Sequence, residues 1–140
     1  MKLHRRALVA LFTFLSVFVF AANVEARQSR LVDPAPVAVP AGMTDEMVVK
    51  DIKRALTGRG WVITAEEPGK IDAELNLREH WAKIKVTWDG QRVQYAYVDS
   101  RNLDYATKRG QPYIHRNFLG WMSYLQQDTS TNLQLTAGKM

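Results

Sequence analysis

Two histidines, His80 and His115, lie in the body of the chain with carboxylates near them in sequence, namely Glu79, Asp99 and Asp104. Neutral imidazoles are good transition-metal ligands and carboxylates complete such sets, so these residues raise the question of a metal site. No pair of them has a spacing such as His-x-x-x-His, which would align two ligands on one helical turn. Their reading is therefore structural, with each imidazole bonded to loop backbone, and no metal is expected. Ser100, His115 and Asp104 also supply the residue types of a hydrolytic triad, in which the ring takes the serine proton and a carboxylate orients the ring. No nucleophile-elbow sequence surrounds Ser100. The competing expectation is that Asp99, Ser100, Asn102 and Asp104 satisfy the backbone of a loop, so no catalytic residue and no cofactor is assigned.

Two further groups of residues are suited to binding. Tyr105, Tyr113, His115, Asn117 and Trp121 gather around the junction of a loop with the last helix. Tyrosine and tryptophan offer rigid apolar area with a polar tip, and loops carry binding sites disproportionately. The plainer alternative is that Trp121 and one tyrosine only close the core. Trp81, Lys83 and Lys85, with Arg92, fall on the polar positions of a strand pair, a mix that could stack on and neutralise a nucleic acid. Asp72 and Glu74 share that face, and the chain carries an export signal described below, so nucleic acid is not expected.

The elements that must position these groups start from Ile71–Asp99. In Ile71–Arg78 the apolar residues occupy odd positions and the polar ones even positions, the signature of a strand buried on one face. Ala82–Trp88 alternates in the same way, Asp89-Gly90 is a turn dipeptide, and Val93, Tyr95 and Tyr97 resume the pattern. A two-residue Asp89-Gly90 loop sets Val86 opposite Val93, Ile84 opposite Tyr95 and Ala82 opposite Tyr97. A Glu79-His80 loop sets Leu77 opposite Ala82, Leu75 opposite Ile84 and Glu74 opposite Lys85.

Trp61–Glu66 supplies a first strand before the Pro68-Gly69 turn. Its facing depends on loop length: one register buries Trp61, Ile63 and Ala65, the other Val62 and Thr64. Thr44 is read as a helix N-cap followed by Asp45 and Glu46, and Val48, Ile52, Ala55 and Leu56 form a helical stripe that ends near Gly58 or Gly60. Pro112 is expected in the first turn of a final helix, with Ile114, Phe118, Trp121, Met122 and Leu125 on its apolar side. The expected fold is α+β and two-layered, in the order α-β-β-β-β-α, a four-stranded antiparallel meander with two helices packed on one face.

The chain begins with Lys2, Arg5 and Arg6, an apolar run from Ala7 to Ala22, and Val24-Glu25-Ala26, where small residues occupy the positions an export peptidase reads. Residues 1–26 are read as a signal peptide cleaved after Ala26, which would carry off His4. Membrane attachment is expected only if that segment stays uncut. Residues 27–43, with Pro34, Pro36 and Pro40, are read as a disordered linker, 44–128 as the single domain and 129–140 as a flexible tail. The absence of cysteine excludes disulfides, thiolate chemistry and lipid attachment through a cysteine. Of 19 basic and 14 acidic residues, 16 and 13 follow Ala26, so the excess positive charge of the exported part is small.

From Arg59 onward the chain resembles a family of small, functionally uncharacterised exported proteins and lipoproteins of proteobacteria. The resemblance rests on Arg59-Gly60-Trp61, Pro68-Gly69-Lys70-Ile71, Arg78-Glu79-His80, Tyr97–Tyr105 with its Asp-Ser-x-Asn-Leu-x-Tyr motif, Ile114-His115-Arg116-Asn117, and Trp121. It implies a location in the cell envelope and no particular activity. The functional expectation is a periplasmic, non-catalytic binding or scaffolding protein whose partner is an envelope protein, a peptide or a glycan. The alternative is a small periplasmic hydrolase or metal-dependent enzyme using His80 and His115.

Overall fold

Alternating residues become strands where they can bury one face, and the longest alternating run forms the centre of the fold. The computed structural model describes residues 27–140, and the predicted signal peptide lies outside the described residues. In chain order the elements are β1 (Gln28–Arg30), β2 (Val37–Ala38), α1 (Asp45–Gly58), β3 (Val62–Glu67), β4 (Lys70–Leu77), β5 (His80–Trp88), β6 (Arg92–Arg101), β7 (Ala106–Lys108), β8 (Gln111–His115) and α2 (Arg116–Ala137). Among the described residues the structure is α+β, with these two helices and two antiparallel sheets. One sheet has five strands in the order β2-β6-β5-β4-β3 and the other three in the order β1-β8-β7.

The expected run of four sequential strands is present, but β2 widens it and the second sheet was not anticipated. Both main hairpins also pair two residues away from the expected register, and a bulge between Lys83 and Ile84 then sets Ala82 opposite Ser100 instead of Tyr97. Val86 faces Tyr95 and Ile84 faces Tyr97, because Asp89 flanks the turn instead of occupying it. Its Oδ1 accepts the Gln91 and Arg92 amides at 2.8 and 2.9 Å, leaving Gly90-Gln91 as the loop. Those two N–H donors hold the Asp89 carboxyl below its usual value. At the other end the loop is Arg78-Glu79, with Arg78 at φ 57°, so Leu75 faces Ala82 and Glu74 faces Lys83. A slip of two preserves which face each side chain occupies, and Ile71, Ala73, Ile84, Val86, Val93 and Tyr95 are all buried as expected.

Trp61 is buried and Ile63 is packed against the core, but a bulge between Ile63 and Ala65 turns Ala65 outward. The strand thus follows the first of the two expected facings only for its first half. Trp61 owes its position to the end of α1. Gly60 is left-handed at φ 83°, its amide reaches Thr57 O, and the Trp61 amide returns to Leu56 O, a Schellman cap that turns the chain into the core. At the other end of α1 Thr44 caps as expected, accepting the Met47 amide at 3.3 Å.

Three expected boundaries are corrected. Residues 27–43 are not a disordered linker: Gln28 and Arg30 pair with His115 and Tyr113, Val37 is buried, and Asp33 Oδ1 accepts the Tyr97 amide at the edge of β6. These strands are two or three residues long, too short to show periodicity. Pro112 lies in β8 rather than in a helix, where it faces Thr107. Residues 129–140 are not a tail: α2 continues to Ala137, and Thr129 and Leu133 are completely buried. Thr129 Oγ1 shares a 2.6 Å hydrogen bond with the Tyr95 phenol, and burial pushes that phenol far above the ordinary tyrosine value.

The apolar sides of α1 (Val48, Ile52, Leu56) and α2 (Phe118, Met122, Leu125, Leu133) join the inner face of the large sheet in one cluster. Each fully buried aliphatic side chain there contributes about 1.5–3 kcal/mol. Leu133→Ala should therefore cost about 2–5 kcal/mol in urea denaturation, whereas Leu135→Ala, 57% exposed, should stay within about 0.5 kcal/mol. Equal, negligible costs would restore the mobile tail. An alkaline titration should show Tyr95 ionising only as the protein unfolds. Its stabilising preference for the neutral form is full below the unfolded value of about 10 and is lost as pH rises above it.

Candidate functional site

The sequence left His80 and His115 unplaced with respect to each other, and the structure brings them together. Their ring centroids are 6.2 Å apart, and His80 lies 6.3 Å from Trp121. They meet because the small sheet docks where β6 ends. The His115 amide donates to Leu103 O at 2.7 Å, and Leu103 is 1% exposed. Asn102, left-handed at φ 56°, donates its side-chain amide to Glu79 O at 2.8 Å, and its own carbonyl meets His80 Nδ1. The Asn-Leu part of the motif thus ties the β4–β5 turn to the start of α2.

This bonding assigns the ring nitrogens. His80 Nδ1 faces a carbonyl and so carries the proton, whereas His115 caps α2, its Nδ1 accepting the Asn117 amide at 3.1 Å. A neutral His115 with Nδ1 as acceptor carries its proton on Nε2, the nitrogen a metal would need. Among the described residues no group of three or more His, Asp or Glu side chains is arranged to hold a metal ion. The suggested triad is not joined by hydrogen bonds either: Ser100 Oγ bonds the Tyr97 phenol at 2.9 Å, and the His115 Nδ1 that a carboxylate would orient faces a backbone amide.

The aromatic residues form a connected series. Tyr105 stacks on Tyr97 at 5.2 Å, Tyr97 meets Phe118 edge-on at 5.5 Å, and Phe118 meets Trp121 at 6.3 Å. Burial and the bond from Ser100 act oppositely on Tyr97, and burial prevails, raising its phenol. Tyr113 lies on the small sheet, with Lys108 Nζ 5.4 Å from its ring centroid. Asn117 contributes its backbone amide to the His115 cap.

On the open face of the large sheet, Trp81 is not free for stacking. Its Nε1 donates to Glu74 Oε2 at 3.1 Å, and the Arg101 guanidinium covers its ring at 4.5 Å. Lys83 faces Glu74 and Asp99, and Lys85 faces Asp72. That face is a ladder of alternating charge.

Beyond Trp121 lies a groove of about 220 Å³ lined by Arg59, Trp61, Leu75, Leu77, Trp121 and Tyr124. Arg59 is fixed at its side by two bonds to Asp128, at 2.7 and 3.2 Å, and lies over the Tyr124 ring at 4.6 Å. The hydrogen bond to Asp128 raises the guanidinium above its usual value. Leu77 and Tyr124 remain 43% and 49% exposed, an apolar rim on a partly filled groove. Arg59, Leu77 and Tyr124 were not singled out as site residues from the sequence. The only hint was that Arg59-Gly60-Trp61 and Trp121 both carry the family resemblance. A larger hollow of about 510 Å³ between α1 and the end of α2 holds Asp51, whose Oδ2 has no partner among the described residues, but its lining is mostly long flexible side chains.

Comparison of the chain with protein-family models, with curated proteins and with solved structures found no match in any of the three.

The His115 cap gives a direct check. His115→Ala should cost about 0.5–2 kcal/mol in denaturant unfolding, and His115→Asn, which keeps an acceptor at that position, should recover most of it. If Asn is as damaging as Ala, the ring is held for a reason other than the cap.

Proposed function

We propose that this chain is a small exported protein of the periplasm that binds an envelope partner without catalysing a reaction. Its docking point is then the groove beside Trp121. The observation that carries this reading is an exposed apolar and aromatic rim around a groove whose one charged member, Arg59, is already neutralised by Asp128. At about 220 Å³ the groove is smaller than the roughly 300–1,000 Å³ of small-molecule sites. It suits a single apolar side chain presented by a peptide or protein, the anchor arrangement of many interfaces. The leader sequence and the resemblance to exported proteins support the compartment.

The second reading, a hydrolase or metal-dependent enzyme, draws on the 6.2 Å approach of His80 and His115. It is weakened by the backbone bonds that occupy one nitrogen of each ring. Elemental analysis of protein purified without chelator, with activity screens of His80→Ala, separates the two readings. Bound metal, or turnover that depends on His80, would favour the enzyme.

For the binding reading, a photo-crosslinker placed at Leu77 in growing cells should capture a discrete partner, and Tyr124→Ala should lower the yield at least about tenfold, the scale of one lost anchor. A crosslinker at Lys85, on the charge ladder, should not capture it. The same partner captured equally from Leu77 and Lys85, or undiminished capture in folded Tyr124→Ala protein, would move the docking point elsewhere.

A further inference from the structure

The positive charge of the chain is unevenly placed. Seven exposed basic residues, Arg27, Arg30, Arg78, Arg101, Lys108, Arg109 and Arg116, belong to the small sheet, the β4–β5 turn, the end of β6 and the start of α2. These parts are joined through His80, His115, Asn102 and Leu103. Four acidic residues, Asp33, Glu79, Asp99 and Asp104, accompany them. The remaining nine basic residues after Ala26 face nine acidic ones, so the whole positive excess sits at this end. The four ion pairs among the described residues, Lys53–Glu66, Arg54–Asp51, Arg59–Asp128 and Lys70–Asp72, all lie elsewhere. The cations of this end instead rest on aromatic rings or amides: Arg101 on Trp81, Lys108 on Tyr113 and Gln28, Arg30 on Gln111.

Tyr105 and Val98, each more than 40% exposed, supply amphipathic and apolar side chains at this end, the composition that settles at a lipid interface. A single-stranded polyanion would need a free stacking platform, and Trp81 is covered. Among the described residues no helix is long and apolar enough to cross a membrane, so the contact would be peripheral.

We infer that the basic end, from the β4–β5 turn across the small sheet to the start of α2, is a membrane-apposition face that binds bilayers containing anionic phospholipid. This goes beyond the partner groove and does not depend on it.

The test is co-sedimentation of the protein, in the form export leaves it, with phosphatidylcholine vesicles with and without phosphatidylglycerol. Binding should require phosphatidylglycerol and fall as salt is raised. Each basic residue near an anionic surface is worth about fivefold in partitioning, so Arg101→Gln, Lys108→Gln and Arg116→Gln together should weaken binding roughly 100-fold. The matched triple Lys50→Gln, Lys85→Gln and Lys139→Gln, which removes as much charge from elsewhere, should change it by no more than about twofold. Equal loss in both triples would overturn the inference by showing that net charge alone is felt. No binding to phosphatidylglycerol vesicles, equal binding to pure phosphatidylcholine, or preferential capture by soluble heparin in competition would overturn it as well.

Discussion

Asn102 occupies a position on which both the fold and its surfaces depend. Its backbone is left-handed, a conformation asparagine tolerates better than most residues, and this turns the chain from the large sheet toward the small one. Its side-chain amide and carbonyl hold the β4–β5 turn through Glu79 and His80, and the next residue, Leu103, buries its side chain while its carbonyl accepts the His115 amide. Three backbone segments that would otherwise expose unpaired polar groups are satisfied at one corner. His80, His115 and Trp121 are neighbours for that reason.

The corner also separates two kinds of surface. On one side the end of α1, the end of β4 and α2 leave an apolar groove between Trp61 and Tyr124. On the other, the small sheet and the loops gather cations that lack carboxylate partners among the described residues. A protein held at a bilayer by the second surface would present the first to a partner. The charge ladder on the open sheet face, with Asp72 and Glu74 against Lys85 and Lys83, is compensated within itself and suits a solvated surface.

The large sheet was legible because side-chain alternation has period two, and both hairpins slipped by two residues, which keeps the facing except beyond the bulges at Lys83/Ile84 and Ile63/Ala65. Charge pairing favours the observed β4–β5 register, which makes two opposite pairs, Asp72 with Lys85 and Glu74 with Lys83, where the expected one makes only Glu74 with Lys85. The turns decided the matter through local bonds, notably those of Asp89, that alternation does not encode. The N-terminal strands escaped notice because two or three residues show no period. The end of α2 escaped because Thr129, polar by type, continues the buried stripe through its bond to Tyr95. The approach of His80 to His115 is a tertiary fact across 34 intervening positions, visible in neither spacing nor composition. The candidate site was therefore only partly readable: Trp121 was named, but Arg59, Leu77 and Tyr124 join it only through packing.

Amide hydrogen exchange in Asn102→Ala protein tests the role of the corner most directly. If Asn102 joins the two sheets, exchange should quicken at the His115 amide, across β7 and β8 and at the β4–β5 turn, while Ile84 and Tyr95 at the centre of the large sheet keep their protection. Unchanged protection at His115, or a uniform loss across the whole molecule, would contradict a corner that specifically fastens one sheet to the other.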